Sequence, residues 1–180
     1  MTLLYEQTNG GAQDQNDYRI CFKSEFTTGY SFSNVNKVTF WLKKGSGSPT
    51  GTVQAAFWSG ADLPLNESNL STTTLDVSTL TSSFAEYEFD FDPIFSTGSS
   101  PFGIGLVFSS TSSTNYVSFE LSNTSLSDRT SNRSEPHGSS PTSWTTMSNP
   151  FKMKIYAGSV SSDTLLFPPP VAYILSLIHI

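Results

Sequence analysis

The runs Lys37-Val38-Thr39-Phe40-Trp41-Leu42 and Thr52-Val53-Gln54-Ala55-Ala56-Phe57-Trp58 decide the fold. Apolar and polar residues alternate with period two in both, as they do in a strand with one dry face and one wet face. The connector Gly45-Ser46-Gly47-Ser48-Pro49-Thr50-Gly51 has turn chemistry, so the two runs read as an antiparallel hairpin. Parity sends Val38, Phe40 and Leu42, together with Val53, Ala55 and Phe57, into a core. Trp41 and Trp58 then fall on the opposite face, beside Lys37, Thr39 and Gln54.

The same alternation returns along the chain. Arg19-Ile20-Cys21-Phe22, with Phe26, reads as an early strand with Ile20 and Phe22 inward. Ala85 to Asp92 sets aromatics against the carboxylates Glu86, Glu88, Asp90 and Asp92. Phe102, Ile104, Leu106 and Phe108 share one face, and Gly103 and Gly105 between them imply a bend or a close backbone approach. Val117, Phe119 and Leu121 share a face, and Phe151 to Tyr156 closes the series; Leu75 to Val77 and Trp144 to Met147 are shorter candidates. No window carries apolar residues at helical spacing. About eight strands separated by turn residues imply an all-β, two-sheet antiparallel sandwich of the jelly-roll kind.

Composition narrows the partners. The 180 residues suit one domain, and 13% charged with 13% aromatic residues argues against disorder. A net charge of -6 and a pI near 4.7 disfavour nucleic acid and anionic membranes. The lone cysteine, Cys21, excludes an internal disulfide and reads as an inert strand thiol. The start, Met1 to Glu6, lacks the basic region of a signal peptide. The sandwich is expected over residues 1–157. Residues 158–180 read as a linker and a disordered, truncated or non-native tail, whose apolar end is shorter than the roughly 20 residues of a membrane span.

The order of features is informative: Lys37 to Lys44, then Ser48-Pro49-Thr50-Gly51-Thr52-Val53, Asp76 to Leu80, Tyr87 to Phe91, Gly103 to Phe108, Asn115 to Val117, Trp144, and Phe151 to Tyr156. It resembles jelly-roll accessory domains, similar to galactose-binding-like modules, of bacterial surface proteins and of phage tail or virion proteins. The resemblance covers roughly residues 18–157. It implies a non-catalytic module at a cell surface or on a virion, and it assigns no functional residue.

Outward tryptophans are the best candidate for chemistry. An exposed indole stacks on the apolar face of a sugar, while nearby amides and hydroxyls bond its hydroxyls. Trp41, Trp58, Gln54, Thr39 and Lys37 supply those parts, unless a loop or the N-terminal segment covers both rings. Exposed aromatics serve a protein–protein contact equally well. Trp144 reads as core or loop packing. The acid row Glu86 to Asp92 lacks the facing carboxylate of a glycosidase and reads as a solvated strand face, paired with Lys152 and Lys154. Asp14, Asn16 and Asp17 lie in an oxygen-rich stretch that could hold a structural calcium, which takes about six to eight oxygen ligands; no other cofactor is expected. His137 is the sole internal histidine, and no nucleophile elbow accompanies it. The expectation is a non-catalytic module that binds a glycan or another surface ligand, with a structural or assembly role beside neighbouring chains as the alternative.

Overall fold

The computed structural model describes residues 1–7, 13–14, 20–60, 67–110, 114–122, 129–134, 144–147 and 149–158, and for 13–14 and 129–134 the backbone alone. The strands are β1 (Thr2–Gln7), β2 (Gln13–Asp14), β3 (Cys21–Phe26), β4 (Val35–Ser46), β5 (Thr52–Ser59), β6 (Asn69–Leu70), β7 (Leu75–Asp76), β8 (Ala85–Phe95), β9 (Phe102–Phe108), β10 (Tyr116–Leu121), β11 (Arg129–Ser134), β12 (Trp144–Met147) and β13 (Met153–Ala157). Among the described residues one 3-10 turn, Val77–Thr79, is present; it starts at Asp76, whose carboxylate accepts from the Ser78 N–H at 2.8 Å.

The strands form two antiparallel sheets. Sheet one contains β1, β13, β4, β10 and β2 in that order, with β8 on the other side of β4; sheet two runs β12-β11-β3-β9-β5-β6, with β7 also against β5. In outline these are β1-β13-β4-β8 facing β3-β9-β5-β7, with the chain passing from sheet to sheet between β3 and β4, β4 and β5, β7 and β8, and β8 and β9. That is jelly-roll wiring, with β10, β11 and β12 inserted before the last strand. β4 organises sheet one. β8 follows one edge of it from Leu42↔Ala85 to Val35↔Phe95, while β13 and β10 succeed each other along the opposite edge.

The expected hairpin is therefore an arch. β4 and β5 do not pair; they lie in different sheets, and their apolar sides face each other across the core. Parity is the same in a hairpin and in an arch, so alternation cannot tell them apart. What turns the chain over is the bonding of its connector to a neighbouring loop. Ser48 N–H donates to Asn115 Oδ1 at 2.9 Å, and Thr52 N–H donates to Ser109 Oγ at 2.8 Å. Gly47 and Gly51, at φ +66° and +97°, supply the left-handed turns, and a Cβ on either would strike that same loop.

The core follows the predicted faces. Val38, Phe40, Leu42, Phe89, Val117, Phe119 and Ile155 from sheet one meet Phe22, Val53, Ala55, Phe57, Ile104 and Leu106 from sheet two. Aromatic pairs cross the layers, with ring centroids 4.6 Å apart for Phe22–Phe119 and 4.8 Å for Phe57–Phe95. Ser24 also points inward, where its Oγ accepts from the Phe151 N–H at 2.8 Å. Ile20 departs from expectation. It precedes β3, escapes that strand's alternation and packs with Cys21, Ala56 and Trp58 on the outside of sheet two.

A short strap, Ser71-Thr72-Thr73, ties the sheets along one side. Ser71 exchanges bonds with Ala55 of β5, its N–H donating to the carbonyl at 2.8 Å and its Oγ accepting from the amide at 3.0 Å. One residue later, Thr72 N–H donates to the Asp90 carbonyl of β8 at 2.8 Å, and Asp90 N–H donates to Thr73 Oγ1 at 3.0 Å.

Candidate functional site on the outer faces

Alternation in β4 turns Lys37, Thr39 and Trp41 outward on sheet one, between the carboxylates of β8 and the lysines at and just before β13. Opposite charges meet across the three strands, Lys37 with its direct partner Asp90 and the rest on the diagonal. Lys37 Nζ lies 2.5 Å from Glu88 Oε2 and 3.7 Å from Asp90 Oδ1. Lys154 Nζ lies 3.0 Å from both Glu86 oxygens, and Glu86 Oε1 also accepts from Thr39 Oγ1 at 2.9 Å. Hydrogen bonds to Glu88 and to Glu86 respectively hold the Lys37 and Lys154 ammonium groups above the ordinary lysine range. Lys152 Nζ sits 2.6 Å from Glu120 Oε2, an ion pair whose angles do not make a hydrogen bond. Trp41 lies among these amines, half-buried, its ring centroid 4.6 Å from Lys152 Nζ and 5.1 Å from Lys154 Nζ.

The outer face of sheet two carries Gln54 and Trp58 of β5, as parity requires, and Trp58 is completely buried there. It meets Trp144 of β12 edge to face, with centroids 5.3 Å apart. The room comes from Gly103 and Gly105 of β9. A Cβ at Gly103 would occupy the space of the Lys23 side chain, and one at Gly105 would strike the β3 backbone at Phe22 and Lys23, so the expected close approach is present. Lys23 lies across these glycines, 1% exposed, with Nζ 4.6 Å from the Trp144 ring centroid and 3.4 Å from Glu25 Oε2. Cys21 is buried in the same layer; burial, with Glu67 adding, pushes its thiol up to about 12. Gln54 Nε2 donates to the Ser71 carbonyl at 2.8 Å.

The five residues of the expected sugar platform thus separate. Lys37, Thr39 and Trp41 stay together on sheet one; Gln54 and Trp58 lie on the far side of the sandwich, with Trp58 sealed from solvent. The arch causes the separation, and the Trp144 and Lys23 side chains help to seal the ring. A platform using both indoles does not exist. The acid row is a solvated strand face engaged with Lys37 and Lys154, whereas Lys152, expected there too, pairs with Glu120 instead. Glu120 and the Trp144–Lys23 cover were not anticipated. Alternation in Tyr116 to Leu121 places Glu120 outward, but its lysine comes from another strand; Trp144 could be placed only with knowledge that β12 joins sheet two.

For the calcium ligands, the Asp14 backbone pairs with Glu120, while its side chain and the whole of Asn16 and Asp17 lie outside the described residues, as does His137. Among the described residues, no three His, Cys, Asp or Glu side chains gather as a metal cluster, no pocket is found, and no helix is long and apolar enough to cross a membrane. No protein-family model, curated protein or solved structure matches the chain.

Proposed function

We propose that the chain is a non-catalytic jelly-roll module of a larger extracellular or virion surface protein, and that it meets a neighbouring protein chain through the outer face of β8, β4 and β13. The observation that carries this reading is Trp41, a half-buried indole set beside paired charges on the outer face of sheet one. A planar aromatic ringed by ion pairs suits a broad contact, in which the aromatic anchors and the charges set register and exclude wrong partners. The carboxylates that a hydrolase would need are engaged by lysines and a threonine on the same face.

A glycan remains the second reading, now confined to Trp41 and Lys37, because Thr39 is fully buried and its hydroxyl donates to Glu86. It is favoured by the partial exposure of the indole and opposed by the two ammonium groups at its ring, since a stacking sugar would have to share or displace them.

Two measurements separate the readings: a glycan array, and assembly of the parent protein, each with wild-type chain and Trp41→Ala. The assembly reading expects a blank array and weakened assembly of the variant. A glycan signal that vanishes in Trp41→Ala would transfer the site to carbohydrate. A blank array with unchanged assembly would remove this face from the function altogether.

A further inference from the structure

We propose that the open edge of β8, from Ala85 to Phe89, takes up an extended basic segment of another protein as an added strand. Asp90 shows which way the backbone points. Its carbonyl accepts from Thr72 N–H at 2.8 Å and its N–H donates to Thr73 Oγ1 at 3.0 Å, so both groups face away from β4. Period two gives Glu88 and Glu86 the same orientation, and their pairings with Thr39 and Trp41 are of the kind that exchanges no backbone bonds. The strap departs after Thr73, and the chain enters β7 of the other sheet. Among the described residues, the N–H and C=O groups of Glu86 and Glu88 therefore bond nothing, and both residues are exposed. Such a row of unpaired groups is what an added strand bonds.

The outward side chains choose the occupant. Glu86, Glu88, Asp90 and Asp92 line the outer side of β8, and among the described residues only Lys37 and Lys154 pair with them. Glu88 and Asp90 keep 61% and 56% of their side-chain surface in water despite those pairs. A second copy of β8 would set carboxylate opposite carboxylate, which rejects self-pairing. Lysine or arginine at every second position instead places a cation against each acid. The residue between them would point to the core side, next to Tyr87, which packs partly buried against the core, so an apolar side chain fits there. The occupant is thus basic, apolar, basic along its length. Backbone groups at the margin of the sheet carry this inference, Trp41 takes no part in it, and it does not rest on the contact proposed for the outer face.

The test is amide hydrogen exchange with two probe peptides of about seven residues, one alternating lysine with valine and the other glutamate with valine. In the chain alone, the Glu86 and Glu88 amides should exchange at least about tenfold faster than those of Tyr87 and Phe89, which face β4. Saturating lysine peptide should slow Glu86 and Glu88 by about tenfold or more, and the glutamate peptide should slow neither. Glu88→Lys should weaken the lysine peptide about tenfold. Glu88→Pro, which removes one outward N–H at a place where edge strands tolerate proline, should abolish the slowing at Glu86. Trp41→Ala should leave peptide binding unchanged, so this proposal and the outer-face contact fail separately. Thermal melts establish that each variant is folded. Glu86 and Glu88 amides already protected in the chain alone, equal responses to the two peptides, or slowing at Glu86 that survives Glu88→Pro would each overturn the proposal.

Discussion

Trp58 and Trp41 occupy equivalent outward positions in their strands, yet they should answer mutation differently. Trp58 is fully buried against Trp144 and the outer surface of sheet two, so Trp58→Ala should cost about 3–5 kcal/mol. Trp41 keeps part of its surface in water, and Trp41→Ala should cost roughly 1 kcal/mol, mainly the packing with the lysines around it. Urea denaturation of the two variants checks this; equal losses would contradict the burial difference. Gly103→Ala should be destabilising by about 1–3 kcal/mol, because its Cβ would collide with the Lys23 chain, which is itself buried. Cys21 makes a prediction in pH. Its thiol ionises near 9 when exposed and at about 12 when folded, so between those values the native state holds a proton that the unfolded state has released. Stability should therefore fall by roughly 1 kcal/mol per pH unit above pH 9, and Cys21→Ala should lack that slope. Parallel slopes for wild type and variant would exclude the thiol as its source. Lys37 and Lys154, raised by their carboxylate partners, contribute stability that is intact below the ordinary lysine pKa of 10.5 and is lost as pH climbs through their folded values, so their part of the decline begins later.

At the scale of elements, the sequence was legible wherever one side of a strand met the core and the other met water. The alternation in Ala85 to Asp92 corresponds to β8 with its carboxylate side in water; that in Phe102 to Phe108 corresponds to β9 with the expected face in the core, although its other side, at Gly103 and Gly105, is covered by Lys23 and the β3 backbone. Three kinds of strand escaped that logic. β11, Arg129-Thr130-Ser131-Asn132-Arg133-Ser134, contains no apolar residue and so has no hydrophobic period to read. β1 has its period broken by the bulge at Leu4, and β2 and β6 are too short to carry one. Partnership between strands was less legible still, because period two reports which way a side chain points and not which sheet its strand joins. The candidate site divided accordingly: the outward orientation of Lys37, Thr39 and Trp41 was readable, whereas the transfer of Gln54 and Trp58 to the other layer was not. The strap was also unforeseen, since Ser71-Thr72-Thr73 reads as ordinary loop. Ser71 is buried, and its Oγ both accepts from Ala55 and donates to the Thr73 carbonyl at 2.8 Å. Ser71→Ala leaves those partners unmet and should cost about 1–3 kcal/mol; a change below about 0.5 kcal/mol in chemical denaturation would show that the strap is dispensable.

For the molecule as a whole, the wiring makes the first and last described strands interdependent. β13, the last described strand, lies between β1, the first, and β4, which begins at Val35. Ending the chain before Met153 would strip β1 of its partner, expose the β4 edge from Val35 to Phe40 and uncover one side of the core. Such a truncation should lack a cooperative thermal transition; retention of one would mean that β1 can seat itself directly on β4.

The opposed settings of the indoles also give the molecule an optical gauge. Trp58, shut away with Trp144 nearby, should emit at shorter wavelength and resist acrylamide, whereas Trp41, partly open to water, should be quenched more readily. Loosening of the layer over sheet two would move the first signal and leave the second in place, while occupation of the Trp41 face would do the reverse. Events on the two sides of the sandwich can thus be followed separately without attaching a dye.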